Sequence, residues 1–166
     1  MQVLIRPIKN ADVESFHGVV DRVARERRYL PALEAPPIES TIAFVRENIE
    51  SGQSQFVAVD GNAVVGWCDI LKRTGPIRSH VGVVGMGLLP EYRGYGFGRR
   101  LLVATLFDAR RHGFRRIELT VRASNTRAIK LYESLGFLDE GLRKDDVLLD
   151  EEFDSTCCMA LFPSDE

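Results

Sequence analysis

The stretch Leu88-Leu89-Pro90-Glu91-Tyr92-Arg93-Gly94-Tyr95-Gly96-Phe97-Gly98-Arg99-Arg100 sets glycines at alternate positions between an apolar run and an amphipathic segment. Glycines remove side chains, so backbone N–H groups can approach an anion closely. A helix that starts there adds unpaired donors and the positive end of its dipole. Arg93, Arg99 and Arg100 bring positive charge to the same place. The chemistry this suggests is a phosphate cradle, with a ligand-free tight turn as the plain alternative. A Walker A loop needs a lysine for the terminal phosphates, and this stretch has none, which excludes a nucleotide triphosphatase. The dinucleotide fingerprint begins at Gly94 and Gly96 but meets Arg99 where its third glycine belongs, which argues against a nicotinamide enzyme.

Asn125 and Tyr132 form the second candidate pair. On a helix they lie two turns apart on nearly one face, separated by about 10 Å at a rise of ~1.5 Å per residue. Alone, they would be a cap and a core tyrosine. Beside a phosphate loop, an amide and a phenol on one face have chemical work to do.

Arg93, Gly96 and Gly98 match the Q/R-x-x-G-x-G/A cofactor loop of the GNAT N-acetyltransferase superfamily, and Leu119 to Phe137 carries the pattern N-x-x-A-I-x-L-Y-x-x-x-G-F. The chain therefore resembles that superfamily. The resemblance implies acetyl-CoA as co-substrate, with no metal. It further implies that the loop from Arg93 through Gly94, Tyr95, Gly96, Phe97, Gly98 and Arg99 holds the pyrophosphate of coenzyme A. Met86, Gly87 and Leu88 would pair through their backbone with the pantetheine arm, Asn125 would belong to the same site, and Tyr132 would be the general acid. The chemistry agrees: an amine attacks a thioester, the developing oxyanion needs a donor such as the Leu88 N–H, and the departing thiolate needs a proton. A phenol near pKa ~10 facing a thiol near ~8.5 is uphill by about 2 kcal/mol.

The sequence departs from the family at the base. Many members carry a carboxylate on the strand before the loop, but His80 to Leu88 has none. Relatives acting on protein N-termini place a glutamate where Thr120 stands, with Glu118 two positions earlier on the same strand face. Glu118 and Glu91 are candidates acting through water, and neither is assigned. An α-amine near pKa ~7.8 costs about 1 kcal/mol to deprotonate at neutral pH, against about 4.6 kcal/mol for a lysine-like amine near ~10.4. A site without a strong base favours the former. The expected acceptor is the α-amine of a free amino acid or small molecule. The alternatives are a protein N-terminus of the ribosomal-protein type, or a non-catalytic sensor of coenzyme A.

The elements that must position these residues can be read from periodicity and glycine punctuation. Val3 to Arg6 reads as a strand, and Asn10 as the cap of a helix carrying Val13, Phe16, Val19, Val20 and Val23 on one stripe. The proline-rich run Arg27 to Pro37, with Tyr29 and Leu30, is a candidate acceptor wall or a surface connection. A short helix with Ile42, Val45 and Ile49 follows, then strands at Gln55–Val59, Ala63–Leu71 and His80–Leu89 in a meander. The second half alternates: helix Phe97–His112, strand Arg116–Arg122, helix Asn125–Leu135, a strand from Phe137, and a last strand Phe153–Phe162. The fold class is α/β (α+β), with a mixed, mostly antiparallel sheet of about seven strands and about four flanking helices. The sheet is expected to splay between the strands ending at Leu89 and near Arg122 to admit the cofactor.

The 166 residues suit one domain spanning 1–166, and a formal charge of −2 gives no basic field for nucleic acid. With no apolar run of membrane-spanning length and no signal-like N-terminus, a cytoplasmic protein without membrane partners is expected, with a homodimer possible. Cys68, Cys157 and Cys158 read as reduced core residues, and His17, His80 and His112 show no metal-ligand spacing.

Overall fold

The computed structural model describes residues 1–164. Strand β1 (Val3–Pro7) leads through a short 3-10 turn into helix α1 (Val13–Arg25), then α2 (Ile38–Glu50), β2 (Ser54–Asp60), β3 (Ala63–Lys72) and β4 (Val81–Leu88). Helix α3 (Phe97–Ala109), β5 (Arg116–Arg122), α4 (Thr126–Ser134), β6 (Leu138–Leu149) and β7 (Glu152–Leu161) complete the chain. The strands form a single sheet in the order β1-β2-β3-β4-β5-β7-β6. Every neighbouring pair is antiparallel except β4 and β5. No helix among the described residues is long and apolar enough to cross a membrane.

Because side chains alternate along a strand, each strand feeds two helical layers. Ser54 of β2 donates its hydroxyl to Asp108 of α3, whereas the next residue, Gln55, accepts a hydrogen bond from Asn48 of α2. Helices α1 and α2 therefore cover one face, and α3 covers the other. The α1 stripe works as its spacing requires: Val13, Phe16, Val19 and Val23 are buried, and Phe16 meets the ring of Trp67 edge-on at 5.9 Å. On the opposite face Leu101, Leu102 and Thr105 of α3 are fully enclosed. Each such apolar side chain contributes about 1.5–3 kcal/mol by burial.

Most element boundaries follow the sequence pattern, and β5 matches residue for residue. Two details differ. Asn10 does not cap α1. It opens the 3-10 turn, and Asp12 stands at the start of α1 without a side-chain cap bond to it, its carboxylate accepting instead from the Lys9 N–H at 2.8 Å and from Arg6 at 2.7 and 2.9 Å. The long helix after the glycine loop also ends sooner, at Ala109, and its last turn tightens to 3-10 over Arg110–His112 before Gly113 (φ 66°) reverses the chain.

Candidate active site

The parallel ladder between β4 and β5 is short. Val81, Gly82 and Val83 pair with Arg116, Ile117 and Glu118, and then the strands part. The β4 residues beyond Val83 keep their bonds to β3 but face open space on the other side. Which amides face it follows from the ladder: the Leu89 N–H donates to the Val65 carbonyl at 2.9 Å, so odd-numbered residues of β4 bond to β3. Antiparallel pairing alternates, and the backbone groups of Met86 and Leu88 therefore point into the gap. This is the geometry an extended ligand needs to pair with a strand edge.

A cavity of about 1300 Å³ fills the gap and is lined from both faces of the sheet. From β4 and the loop come Met86, Gly87, Leu88, Arg93, Gly94, Gly96 and Gly98. Arg99 adds to these from the first turn of α3, and Asn125 and Tyr132 come from α4 and its cap. Tyr95 and Phe97 are not on the wall: Tyr95 is largely exposed, and Phe97 is buried against Tyr92 and Tyr95. Gly94 (φ 85°) and Gly96 (φ 84°) adopt the left-handed conformation that favours glycine, which turns the chain sharply into α3. The first N–H groups of α3 have no intrahelical acceptors and stand at the cavity with the positive end of the dipole. These features fit a diphosphate, and no side chain crowds the position of Gly94 or Gly96.

The arginines divide the work differently from the sequence expectation. Arg93 does not offer its guanidinium to an anion. It grips Glu26 at the end of α1 with two bonds of 2.7 and 2.9 Å, donates Nε to the Leu88 carbonyl at 2.9 Å, and lies 4.6 Å from the centre of the Tyr29 ring. Its role is to tie the glycine loop to the segment after α1. Arg100 turns away toward the Val3 carbonyl. Arg99, bonded to the hydroxyl of Ser134, is the loop arginine that remains on the cavity wall without a carboxylate partner among the described residues.

Asn125 caps α4 as its sequence position suggested, its Oδ1 accepting from the Ala128 N–H at 3.2 Å. Two turns on, Tyr132 is buried beside Phe137. Burial pushes its phenol well above the usual tyrosine pKa, and nearby Cys68 acts in the same direction. The ring therefore stays protonated at neutral pH. A thiolate forming in the same dry pocket would be penalised in the same way, so the proton transfer does not become steeper than in water.

The end of the cavity away from the glycine loop is built by residues the motifs did not flag. Arg27, Arg28 and Tyr29 from the segment after α1 face Arg122 and the β6–β7 hairpin across the cavity. Arg122 donates to the backbone carbonyls of Arg27 and Leu30, holding that segment against the sheet. Arg27 and Asp150 form a two-bond ion pair across the mouth, at 2.8 and 3.1 Å. Arg28 has no ion pair or hydrogen bond among the described residues. Of the proline-rich run, Arg27, Arg28 and Tyr29 line the cavity, and the hairpin's contribution had no local signal.

Both glutamates considered as bases are committed elsewhere. Glu118 is clasped by Arg73 and Arg116, and Glu91 pairs with Arg22 at 3.0 Å on the surface.

Similarity to known proteins follows the same features. The chain is 41% identical over 105 residues to the N-alpha-acetyltransferase RimI of Mycobacterium tuberculosis, a match spanning 61% of this chain and 63% of that one. It is 49% identical over 88 residues to the mycothiol acetyltransferase of Thermobispora bispora, covering 49% of this chain and 29% of the relative. Thus the chain spans less than two thirds of the length of these two relatives. The fold superimposes on yncA from Salmonella typhimurium, solved with its cofactor acetyl-CoA, with a TM-score of 0.92 over 99% of this chain and 95% of that one at 18% identity. The profile of the Acetyltransferase (GNAT) family matches residues 21–137, which run from the middle of α1 through the splay to the end of the α4 block, and the chain belongs to that family.

Proposed function

We propose that this chain transfers the acetyl group of acetyl-CoA to the α-amine of a free amino acid or similar small molecule, by direct attack while both substrates are bound. The observation that carries this reading is one cavity with a glycine anion cradle at one end, Tyr132 in its wall, and arginines at the other end. Bound acetyl-CoA would supply an activated thioester. The loop amides and Arg99 would hold its diphosphate, and the outward-facing backbone of Met86 and Leu88 would align the arm. The Leu88 N–H stabilises negative charge on the carbonyl oxygen, and Tyr132 gives a proton to sulfur. At the acceptor end, the unpaired Arg28 suits the carboxylate of an amino acid. The Arg27–Asp150 pair restricts the mouth to small acceptors.

Acetylation of a protein N-terminus is the second reading, favoured by the similarity to the RimI relative. A thiol-release assay over amino acids, polyamines and short peptides separates the two. Free amino acids are expected to turn over best, with Tyr132→Phe lowering kcat about 100-fold while leaving coenzyme A affinity within about threefold. Preference for peptides would move the assignment to the second reading. Binding without release on every acceptor would overturn both.

A further inference from the structure

The acyl-transfer reading lacks a base, and the sheet supplies a carboxylate that plays no other part. Asp69 lies in the middle of β3 and is only 7% exposed. Its register partners are Gly85 of β4 and Gln55 of β2. A Cβ added to Gly85 would stand 3.0 Å from the Asp69 Oδ1, so this carboxyl occupies the space that a side chain on β4 would fill. Gly85 is two residues past Val83, where β4 and β5 separate, and it directly precedes Met86, which lines the cavity. The sequence showed a β4 strand without an acid, and the fold brings one to it from the neighbouring strand.

The surroundings of Asp69 set it apart. Four other partly buried carboxylates each hold a cation: Asp12 with Arg6, Glu26 with Arg93, Asp108 with Arg111, and Glu118 with Arg73 and Arg116. Asp69 has no ion pair among the described residues. On its face it meets the Gly85 N–H and, from β2, Gln55, whose Nε2 is buried without a partner while its Oε1 is held by Asn48 of α2. Across the gap, Glu118 shares this face but is neutralised by its two arginines, and Cys68 points to the other face. Burial pushes the Asp69 carboxyl up to about 7, opposed by the Gly85 N–H. A buried acid without a cation costs stability whenever it ionises, which makes its presence informative.

We propose that Asp69 is the general base of the transfer, taking the proton of the acceptor amine through a bridging water; this rests on the proposed function. The amine lone pair forms the N–C bond, and the carbonyl π pair moves onto oxygen beside the Leu88 N–H. The C–S bond then breaks, and sulfur takes the Tyr132 proton. Nitrogen sheds one proton through water to the Asp69 carboxylate, and that proton leaves to solvent while solvent restores the phenol. Nitrogen loses one proton and sulfur gains one. Asp69 lies on the α1/α2 face and Tyr132 beside Cys68 on the α3 face, so base and acid act from opposite sides of the gap.

The test begins with wild-type protein: calorimetry with coenzyme A and a pH profile of kcat/KM for an α-amine. Below pH ~6 the log rate is expected to fall with a slope of two, one proton for the amine and one for the base. Asp69→Asn is expected to bind coenzyme A within about threefold of wild type, lose about 100-fold in kcat/KM at pH 7, and reduce that slope to one. A variant that keeps the wild-type rate and slope overturns the role of Asp69 while leaving the proposed function intact. Wild-type protein that binds coenzyme A but acetylates no amine overturns both. Carbon NMR of wild-type protein labelled at aspartate carboxyls decides the case should Asp69→Asn not fold. A resonance titrating near 7 that moves when coenzyme A is added supports the role, and titration of every aspartate below pH ~5 refutes it.

Discussion

Replacing Gly87 by alanine adds one methyl group at the narrowest point of the β3–β4 face. The new Cβ would stand 2.3 Å from Cη2 and 2.6 Å from Cζ3 of Trp67, whereas carbon atoms normally rest at about 3.5 Å. The ring cannot swing aside freely, because it is only 5% exposed and braced edge-on by Phe16. Either the ring or β4 must move by about 1 Å, and overpacking of this kind costs about 1–3 kcal/mol. For a chain of this size that lowers the melting temperature by about 4–8 °C for a mid-range cost of ~2 kcal/mol. Because Gly87 lines the cavity, displacement of β4 should also weaken coenzyme A binding several-fold. The control is the same chemical change at Gly18, an exposed position inside α1 where an added Cβ meets nothing within 4 Å. There alanine should stabilise by about 0.5–1 kcal/mol through helix propensity and lost unfolded-state freedom. Scanning calorimetry of both variants and titration with coenzyme A measure the contrast. If Gly87→Ala melts with wild type and binds coenzyme A unchanged, Trp67 does not overlie β4 and the register that exposes Met86 and Leu88 is wrong.

Other expectations follow from single contacts. Glu26→Gln removes one charge from a half-buried two-bond pair and should cost about 1–2 kcal/mol in denaturant unfolding. It should raise the acceptor KM more than the coenzyme A dissociation constant, since the freed Arg93 no longer anchors the segment bearing Tyr29. Arg6 holds the Asp12 carboxyl below its ordinary pKa by hydrogen bonding. The stability this provides is present above the unfolded pKa of ~3.9 and is lost as pH falls through the lower folded value, so Asp12→Asn should lower the melting temperature clearly at pH 7 and much less at pH 3. Burial pushes the Cys68 thiol far up, so a disulfide reagent should leave it unlabelled in the folded protein and reach it only on denaturation, whereas the half-buried Cys157 and Cys158 are the thiols open to it.

Features carried by local chemistry were legible from the residues alone. Glycine at positive φ after α3 and α4, the Asn125 cap, and the two-residue turn between Asp60 and Ala63 all depend on neighbours in sequence. Strand β5 was readable to the residue because Ile117, Leu119 and Val121 alternate with polar residues on a half-covered surface. The glycine cradle and Tyr132 were legible because their spacing encodes a turn and a helix face. The Asn10 cap failed because Asp12, two residues later, also reaches a cation on β1. Nothing in a local window weighs that competition.

The destination of a long charged side chain was not legible, because it depends on which strand ends up beside which. Arg93 sits inside the loop motif and looks like an anion ligand until α1 returns across the sheet and delivers Glu26, 67 positions away, to its guanidinium. Asp69 shows the same effect in reverse. Its window of Trp67-Cys68-Asp69-Ile70 reads as buried strand with one misplaced acid. Its meaning emerges only when antiparallel pairing sets it against Gly85, where the lack of a side chain on β4 becomes room for a carboxyl on β3. A gap in one strand and an excess in the next are then one feature, and reading either strand separately would misjudge both.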